Sequence, residues 1–153
     1  MLVKPTYPMM LHIASRLREE DKREQNALRW DDTDQALAAT MMNFGSPAWI
    51  ACAENPLEPV YAFGLTPLRP GVWSLWGFGT DRWPHVALKV TRWARRVIVP
   101  SLPEMGHRVE CYCLASKVSA HRWLERFGAV EEGTLRGYGR NGEDFKLFSW
   151  TKG

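Results

Sequence analysis

A short apolar stretch, followed by charged segments with the composition of helices, occupies most of the first third of the chain. Residues 9–12 are apolar and short, so they predict either a first strand or the entry to a helix. Asp21 and Glu24 have the spacing of a capping box, which predicts that a helix restarts there. A second pair with this spacing, Asp32 and Gln35, predicts the start of another helix.

The middle of the chain changes from helical spacing to short apolar runs. Asn43-Phe44-Gly45 predicts the end of the preceding helix, because glycine tolerates a positive φ angle. Turns rich in proline and glycine then separate three apolar runs, at residues 48–53, 60–65 and 72–78. Short apolar runs joined by such turns are typical of antiparallel strands, so the sequence predicts a three-stranded meander.

Residues 83–99 have the clearest helical pattern in the chain and are predicted to form a long helix. Pro84 suits the first turn of this helix, where its missing N–H is not needed. Pro100 is predicted to stop the helix, because proline cannot continue the hydrogen-bond ladder. Apolar side chains recur along the segment and form one face: Val86, Val90, Trp93 and Val97.

Apolar and polar residues alternate from His107 to Ala115, which predicts a strand. Because the long helix connects this strand to residues 72–78, the two strands are expected to run parallel. Ser116 is predicted to cap the next helix, and Gly128 is predicted to end it. That helix carries one apolar face, formed by Ala120, Trp123, Leu124 and Phe127.

A final hairpin is predicted from two apolar runs and the turn between them. Residues 134–138 and 145–150 flank Gly139-Arg140-Asn141-Gly142, and Asn-Gly is a strong signal for a hairpin turn. The complete order of elements predicts a single α+β domain over residues 1–153. Its sheet is expected to be mixed but mostly antiparallel, with about six to seven strands flanked by about four helices.

Composition places the chain among ordinary globular proteins. It has 153 residues, of which 45% are hydrophobic and 24% are charged, and its formal net charge is +3. A mild positive charge permits an anionic ligand such as a nucleotide cofactor and does not require nucleic acid. No apolar run is long enough to span a membrane, and the N-terminus lacks the features of a secretory signal, so an intracellular location is expected.

The cysteines and histidines give no sign of a disulfide framework or a metal site. The number of cysteines is odd, and the Cys-x-Cys spacing of Cys111 and Cys113 is not that of a zinc site. On a strand these two side chains share one face, which is typical of small buried thiols. The histidines lack ligand spacing, so no bound metal is expected.

Residues 120–136 carry a pattern that resembles a known superfamily. A small residue on a helix is followed by an aromatic-rich turn and a glycine, and then by a strand that opens with Glu132-Gly133 and ends in Leu135-Arg136. This pattern resembles the fourth helix and the following strand of the GNAT acyl-CoA N-acyltransferases. Residues 138–150 look like the closing strands of that family, and the order of elements over residues 9–150 also matches. The resemblance implies the GNAT fold.

More narrowly, two short segments are similar to GNAT-like proteins encoded by tailed phages. These segments are His12 to Asp21 and Gly77 to Arg82. The phage proteins include internal virion and virion-assembly proteins of short-tailed phages. This resemblance implies that the protein is located in the cytoplasm of a phage host or in a virion. It also implies a phage or host protein as the partner.

The GNAT resemblance implies a site for acetyl-CoA in a gap between two splayed parallel strands. In that family the pyrophosphate sits on backbone amides at the start of the following helix, where unpaired N–H groups and the helix dipole favour an anion. The residues that this resemblance implies for coenzyme binding are Trp76, Gly77, Phe78, Gly79, Thr80, Arg82, His85, Val86 and Ser116.

The loop at residues 81–86 departs from the family pattern. GNAT proteins usually carry Arg/Gln-x-x-Gly-x-Gly/Ala there, whereas this chain has Asp-Arg-Trp-Pro-His-Val. The glycines that let a phosphate approach the backbone are missing, and Pro84 removes an amide. The pyrophosphate loop is therefore predicted to be degenerate, with Arg82 and His85 as side-chain donors that could replace the amides.

The catalytic groups that the resemblance implies are replaced as well. Leu124 stands where many family members have a tyrosine that protonates the leaving thiolate. Residues 72–78 lack the glutamate that often serves, through water, as the base. The candidates that remain are Glu110 and His85 as the base, and Tyr138 or Tyr112 as the proton donor.

Two functions stay open. The first is an acetyl-CoA-dependent N-acetyltransferase that acts on an amine of a small molecule or a protein. The second is a non-catalytic protein on the same scaffold that serves phage virion assembly or interaction with the host. The basic stripe Lys89, Arg92 and Arg96 is typical of a solvated helix face, and nucleic acid is not expected as the partner. The family resemblance also implies that two copies can pair, as a homodimer, through their final strands.

Overall fold

A seven-stranded sheet forms the centre of the structure, a computed structural model that describes residues 1–42 and 46–152. The helix end predicted at Asn43-Phe44-Gly45 lies outside these residues. In chain order the strands are β1 (Leu2–Val3), β2 (Ala48–Ala53), β3 (Glu58–Arg69), β4 (Val72–Gly79), β5 (Arg108–Leu114), β6 (Val130–Leu135) and β7 (Phe145–Thr151).

The strands lie side by side in the order β1-β2-β3-β4-β5-β7-β6. Every neighbouring pair is antiparallel except β4 and β5, which run parallel. The predicted meander, the predicted parallel pair and the mixed, mostly antiparallel sheet are therefore confirmed.

Helices flank this sheet. They are α1 (Tyr7–Ala14), α2 (Glu19–Ala27), α3 (Asp34–Met42), α4 (Ala87–Trp93), α5 (Val99–Met105) and α6 (Val118–Arg126). A 3₁₀ turn (Trp83–His85) precedes α4, and a π-helical turn (Ala94–Ile98) joins α4 to α5, so residues 87–105 form one continuous helix. The predicted α+β class is confirmed. The described residues contain 5 helices if the continuous helix at 87–105 is counted as one.

Alternation along the strands builds a core on each face of the sheet. Ile50, Ala62 and Phe78 are fully buried on the face that α1 and α3 cover. The continuous helix at 87–105 and α6 cover the opposite face with a second set of buried side chains: Val90, Ala94, Ile98, Leu102 and Leu124. A sheet buried on both faces in this way gives its strands nearly continuous apolar runs.

The N-terminal residues differ from the prediction in how their helices begin. Residues 9–12 lie in α1, which decides between the strand and the helix that the sequence left open. The Thr6 hydroxyl caps α1. The capping-box prediction for Asp21 and Glu24 is wrong, because α2 begins at Glu19 and both side chains lie buried within it.

The second predicted helix start is also shifted. α3 begins at Asp34, and the Ala36 N–H donates a hydrogen bond to the Thr33 hydroxyl at 3.1 Å. Asp32, the predicted cap, instead binds Arg140 at 2.9 Å. Thr and Asp both cap helices well, so spacing alone does not choose between them.

Pro100 does not stop the long helix, and this prediction is wrong. The chain turns through the π-helix just before the proline, where the Val99 N–H donates to the Ala94 carbonyl. Proline has no N–H and crowds the carbonyl four residues before it, and the wider turn accommodates both effects. The helix therefore continues to Met105, whose carbonyl accepts a hydrogen bond from the Trp73 indole at 3.1 Å.

α6 begins at Val118 without a side-chain cap, so the prediction that Ser116 caps it is wrong. Lys117 occupies the cap position, and Ser116 contributes only its carbonyl, which accepts from the Val118 N–H at 3.0 Å. The predicted end of this helix is confirmed, because Gly128 follows it with a φ angle of 91°. Only glycine adopts that angle without strain.

The connection between the last two strands is longer than the sequence predicts. β6 ends at Leu135 and β7 begins at Phe145, so Asn141-Gly142 is not a tight turn between paired strands. The connection folds back towards α2, where the Arg140 N–H donates to the Ala27 carbonyl at 2.9 Å. Because residues 136–144 contact α2, they form a long connection instead of the predicted short hairpin turn.

Candidate functional site

β4 and β5 pair along only part of their length. Residues 72–74 lie opposite residues 108–110, and no further pair follows in the described parts of the two strands. Residues 75–79 therefore separate from residues 111–114. A cavity of about 360 Å³ lies in this gap, a volume within the range of small-molecule sites, roughly 300–1,000 Å³.

Both faces of the sheet contribute walls to this cavity. On the side of α4 and α6 the lining is mainly apolar and includes Leu75, Val90, Cys111, Trp123 and Leu124. On the side of α2 and α3 it includes Leu28, Arg29, Thr40, Met41 and Tyr112. The cavity can therefore accept two groups that meet from opposite faces of the sheet.

Three buried side chains, Asp21, Glu24 and Lys117, form a charged cluster at the carboxyl ends of β4 and β5. The Lys117 ammonium lies 3.0 Å from Asp21 and 3.1 Å from Glu24. Asp21 also accepts a hydrogen bond from the Gly79 N–H at 2.7 Å, and Glu24 accepts one from the Leu114 N–H at 3.0 Å. The charged cluster thus ties together the ends of two strands that have separated.

Burial and charge act in opposite directions on the charged cluster. Burial raises the pKa of Glu24, although Lys117 and the Leu114 N–H oppose this shift. Burial alone would lower the pKa of Lys117, but Glu24 and Asp21 raise it above its ordinary value. Lys117 therefore stays charged and offsets the two carboxylates beside it.

Two of the predicted catalytic residues, Glu110 and Tyr138, are linked through Tyr112. The Tyr112 hydroxyl donates a hydrogen bond to the Glu110 carboxylate at 3.4 Å, and its ring stacks on Tyr138 with the centroids 5.5 Å apart. Glu110 is buried and also binds Arg108 at 3.2 Å. Tyr112 also lines the cavity, so this residue links the cavity to the Glu110 carboxylate.

The hydroxyl of Tyr112 keeps its proton at neutral pH. Burial raises the pKa of Tyr112 to about 12, and the neighbouring Glu110 and Tyr138 add to the shift. A neutral phenol can both donate and accept a hydrogen bond. Tyr112 can therefore pass a proton from the cavity towards Glu110 without ionising itself.

Two thiols face the cavity from β5. The sulfur atoms of Cys111 and Cys113 lie 4.0 Å apart, and both thiols are free and buried. The contact with Cys111 and burial raise the pKa of Cys113 well above its ordinary value. A thiol that keeps its proton is a poor nucleophile, so Cys113 fits a packing role better than a covalent one.

The predicted pyrophosphate loop uses its own backbone amides. The Gly79 N–H binds Asp21, and the Thr80 N–H binds the Val60 carbonyl at 2.9 Å. The N–H groups of Arg82, Trp83, His85 and Val86 donate to acceptors between Thr80 and Trp83. These amides are engaged within the protein and are not available to an anion as the loop stands.

The predicted side-chain donors of this loop point elsewhere. Arg82 forms an ion pair with Glu58, which also binds His12 at 3.0 Å. His85 is exposed, and its ring lies 3.3 Å from the Arg82 carbonyl. It borders a separate outer groove of about 470 Å³ along α4, together with Lys89 and other residues. The structure therefore does not bring His85 to Glu110 and Tyr138.

The remaining residues predicted to bind the coenzyme are divided between the cavity and the core. Trp76 and Gly77 line the cavity. Phe78 and Val86 are buried in the core, and Thr80 is buried with its hydroxyl accepting from the Arg82 N–H at 3.2 Å. Ser116 is exposed before α6.

The patterns along the sequence did not predict the charged cluster. Asp21 and Glu24 share one side of α2, since residues three apart on a helix are neighbours. This spacing was interpreted as a cap, although two acids on one helix side also fit a buried partner. That partner, Lys117, is 96 residues from Asp21 in the chain, and no local pattern predicts such a contact.

The described residues contain neither a group of side chains suited to a metal ion nor a membrane-spanning helix. Within residues 1–42 and 46–152, no group of three or more His, Cys, Asp or Glu side chains is placed to hold a metal ion. None of the helices in the same residues is long and apolar enough to cross a membrane.

Comparison with known proteins shows similarity in structure but not in sequence. The sequence matches no protein-family model and no curated protein. A ribosomal-protein-alanine N-acetyltransferase from Brucella melitensis has a TM-score of 0.70 at 17% identity, over 99% of both chains. A GNAT-family acetyltransferase from Bacillus anthracis has a TM-score of 0.67 at 12% identity, over 99% of this chain and 98% of the other.

A third solved structure contains a ligand. It is a Salmonella typhimurium protein with its cofactor acetyl-CoA, and it has a TM-score of 0.70 at 9% identity, over 99% of this chain and 92% of that one. Identities this low show the fold alone. The chain has the fold of the GNAT N-acetyltransferases, as the sequence resemblance implied. The narrower resemblance to phage proteins stays a prediction.

Proposed function

We propose that this protein is an acetyl-CoA-dependent N-acetyltransferase with a degenerate pyrophosphate loop. The observation that carries the proposal is the gap between β4 and β5 and the cavity of about 360 Å³ within it. A site lined from both faces of a sheet can hold a thioester and an amine in contact, which favours direct transfer. Acetyl-CoA would supply the acetyl group as a thioester.

The cavity walls fit this donor. Leu75, Val90 and Trp123 give the α4 and α6 side an apolar surface, which suits an acyl group and an alkyl chain. Residues 75–77 of β4 and 111–113 of β5 do not pair with each other across the gap. Backbone groups at these strand edges can hydrogen-bond to the amides of an extended ligand.

On the other side of the sheet, Tyr112 and Glu110 would take the proton from the attacking amine. The Tyr112 hydroxyl lines the cavity and donates to Glu110 at 3.4 Å. It can accept a proton from the amine while passing its own proton to the carboxylate. Tyr138 stacks on Tyr112 and holds its ring in place. In this arrangement the amine attacks the thioester directly, without a cysteine intermediate.

The degenerate loop is the part of the proposal that departs from the family. The amides at residues 79–86 are largely engaged within the protein, and Arg82 is held by Glu58. The anionic end of acetyl-CoA would then be bound by side chains. His85, Lys89 and Arg92 border the outer groove beside this loop and supply suitable donors.

A non-catalytic role on the same scaffold is the second candidate, and the charged cluster favours it. Asp21 places a buried carboxylate on the Gly79 N–H, at the end of the gap where an anion would approach. The Gly79 N–H is therefore already engaged and does not offer a hydrogen bond to an anion. In this case the fold would serve as a scaffold for a phage or host protein partner, since fold alone does not fix function.

Calorimetry with acetyl-CoA tests the proposal, with one variant that fills the cavity. Ala120 lines the cavity, so Ala120→Trp places an indole in the gap. Ser119→Trp is the matched control, because Ser119 is exposed on the same helix. We expect micromolar binding to the wild type and to Ser119→Trp, and no binding to Ala120→Trp.

Two other outcomes would decide against the proposal in different ways. No heat and no thermal shift with millimolar acetyl-CoA would contradict the enzyme and leave the non-catalytic role. Equal binding by Ala120→Trp would show that the coenzyme lies outside the gap. The homodimer stays a prediction, and β6, which lies at the free edge of the sheet, is the strand that such pairing would use.

A further inference from the structure

Two glycines on β4 make room for the side chain of Tyr61. Tyr61 lies opposite Gly79 in the pairing of β3 with β4. A Cβ atom on Gly79 would overlap the Tyr61 ring, and a Cβ atom on Gly77 would overlap its hydroxyl. The side chain therefore extends along β4, and its hydroxyl reaches Gly77, a residue that lines the cavity.

Neighbouring rings fix Tyr61 in this position. The centroid of the Trp83 ring lies 4.4 Å from that of Tyr61, and the centroid of Phe63 lies 5.8 Å from it. A side chain packed in this way loses little freedom when a ligand binds. The hydroxyl is thus preorganised with respect to the cavity.

The Tyr61 hydroxyl faces the cavity without a partner in the described part of the chain. All fully buried side-chain oxygen and nitrogen atoms there have a hydrogen-bond partner, whereas the Tyr61 hydroxyl forms no such bond within residues 1–42 and 46–152. Two other donors around the cavity are engaged: Lys117 in the charged cluster, and the Trp123 indole N–H with Thr91 at 3.0 Å. Tyr61 therefore offers an O–H to a ligand in the gap.

We propose that the Tyr61 hydroxyl donates a hydrogen bond to the thioester sulfur of the acyl donor and stabilises the negative charge that develops there. This inference rests on the proposed acetyltransferase function and names the residue that assists the departure of the thiolate. A fixed donor aimed at developing charge acts most strongly in a site with little water.

The reaction balances with Tyr61 as a donor that keeps its proton. The amine nitrogen attacks the thioester carbonyl carbon and forms the new carbon–nitrogen bond. The carbon–sulfur bond breaks, and its electron pair moves to sulfur, which accepts the hydrogen bond from Tyr61. Glu110, through Tyr112, takes the proton that the new amide nitrogen loses. The thiolate takes a proton from water after it leaves.

The electrostatic surroundings of Tyr61 agree with this role. Burial raises the pKa of Tyr61 well above its ordinary value, and the charge of Asp21 adds to the shift. The hydroxyl therefore keeps its proton and acts as a hydrogen-bond donor rather than as an acid. Leu124, which lines the same cavity from α6, has no proton to donate.

Tyr61→Phe removes only the hydroxyl and tests the inference. Tyr7→Phe, at an exposed position in α1, is the matched control. Thiol release from acetyl-CoA is measured with a primary alkylamine as the acceptor, and acetyl-CoA affinity is measured by calorimetry. We expect kcat of Tyr61→Phe to fall about 100-fold, since loss of one such donor lowers kcat by about 10²–10³. The Kd for acetyl-CoA and the unfolding temperature should change little.

A pH series distinguishes a hydrogen-bond donor that keeps its proton from a general acid that ionises during the reaction. The ratio of wild-type to Tyr61→Phe rates should stay constant from about pH 6 to about pH 9, because the hydroxyl does not ionise there. An unchanged kcat overturns the inference, as does weaker binding with an unchanged kcat. Wild-type protein that binds acetyl-CoA but releases no thiol overturns the proposed function and the inference with it. Equal turnover by wild type and variant overturns the inference alone.

Discussion

Successive side chains of β5 emerge on opposite faces of the sheet, and this alternation divides the candidate site. Cys111 and Cys113 pack with α6, whereas Glu110 and Tyr112 meet on the other face. The alternation is readable in the sequence. The stacking of Tyr138 on Tyr112 is not, because it depends on the path of the long connection between β6 and β7.

Glu110→Gln is expected to slow acetyl transfer and to change its pH dependence. The amide cannot accept a proton, although it can still accept the hydrogen bond from Tyr112. We expect kcat with a primary alkylamine to fall about 100-fold near neutral pH, within the usual range for general acid–base catalysis. The deficit should shrink as pH rises above neutrality, because hydroxide then increasingly replaces the carboxylate as the acceptor of the proton that the nitrogen loses.

Steady-state kinetics across this pH range checks the prediction for Glu110. Glu104→Gln, an exposed position in α5, is the control and should match the wild type throughout. A deficit in Glu110→Gln that is the same at every pH would contradict the role of a proton acceptor. It would instead point to the ion pair with Arg108 as the reason for the loss.

At the scale of elements, α2 and α6 hold the open ends of β4 and β5 through buried charges. Asp21 and Glu24 bind one backbone N–H on each strand, and Lys117 joins the two carboxylates. Glu24 has a second partner only while Lys117 is present, whereas Asp21 is also bound by Arg18 at 2.8 Å. Removal of one member of a buried ion pair leaves its partner uncompensated.

Lys117→Met is therefore expected to destabilise the fold by about 3–5 kcal/mol near neutral pH. Burial already raises the pKa of Glu24, and without Lys117 that pKa should rise further. A carboxyl group whose pKa is raised in the folded state stabilises the fold at pH values below its unfolded-state pKa. This contribution is lost as the pH rises through the folded-state pKa. The deficit of the variant should consequently be largest at neutral pH and become smaller on acidification.

Denaturant unfolding at several pH values measures this deficit. Lys22→Met removes a lysine at an exposed position of α2 and should behave as the wild type does. A loss in Lys117→Met that does not depend on pH would show that packing of the lysine stem, and not its charge, stabilises these strand ends.

The elements themselves were predictable to the extent that local patterns determine them. The three apolar runs at 48–53, 60–65 and 72–78 fall within β2, β3 and β4, because each strand is buried or half-buried along most of its length. Helix ends were predicted less well. Asp21 has the chemistry of a cap but binds β4, and Pro100 has the chemistry of a stop but follows a π-turn. Contacts between distant segments decide these cases.

At the scale of the whole molecule, the sheet consists of two parts, which pair with each other only along a short stretch of β4 and β5. β1 to β4 form one part, and β5 to β7 form the other. They are joined by the pairing of residues 72–74 with 108–110, by the continuous helix at 87–105 and by the charged cluster. A ligand that occupies the gap would contact both parts, whereas a ligand in the outer groove along α4 would contact only one.

Hydrogen exchange with and without acetyl-CoA distinguishes these two modes of binding. If the coenzyme lies in the gap, amides of residues 75–77 and 111–113 should exchange more slowly, because the strand edges there do not pair with each other. β2 lies away from the gap and serves as the internal control, with no change expected. Slower exchange confined to residues 83–96 would place the coenzyme on the outer groove and contradict transfer between the two strands. Slower exchange on both sides of the gap would show that the ligand bridges the two parts of the sheet, as direct attack by an amine on the thioester requires.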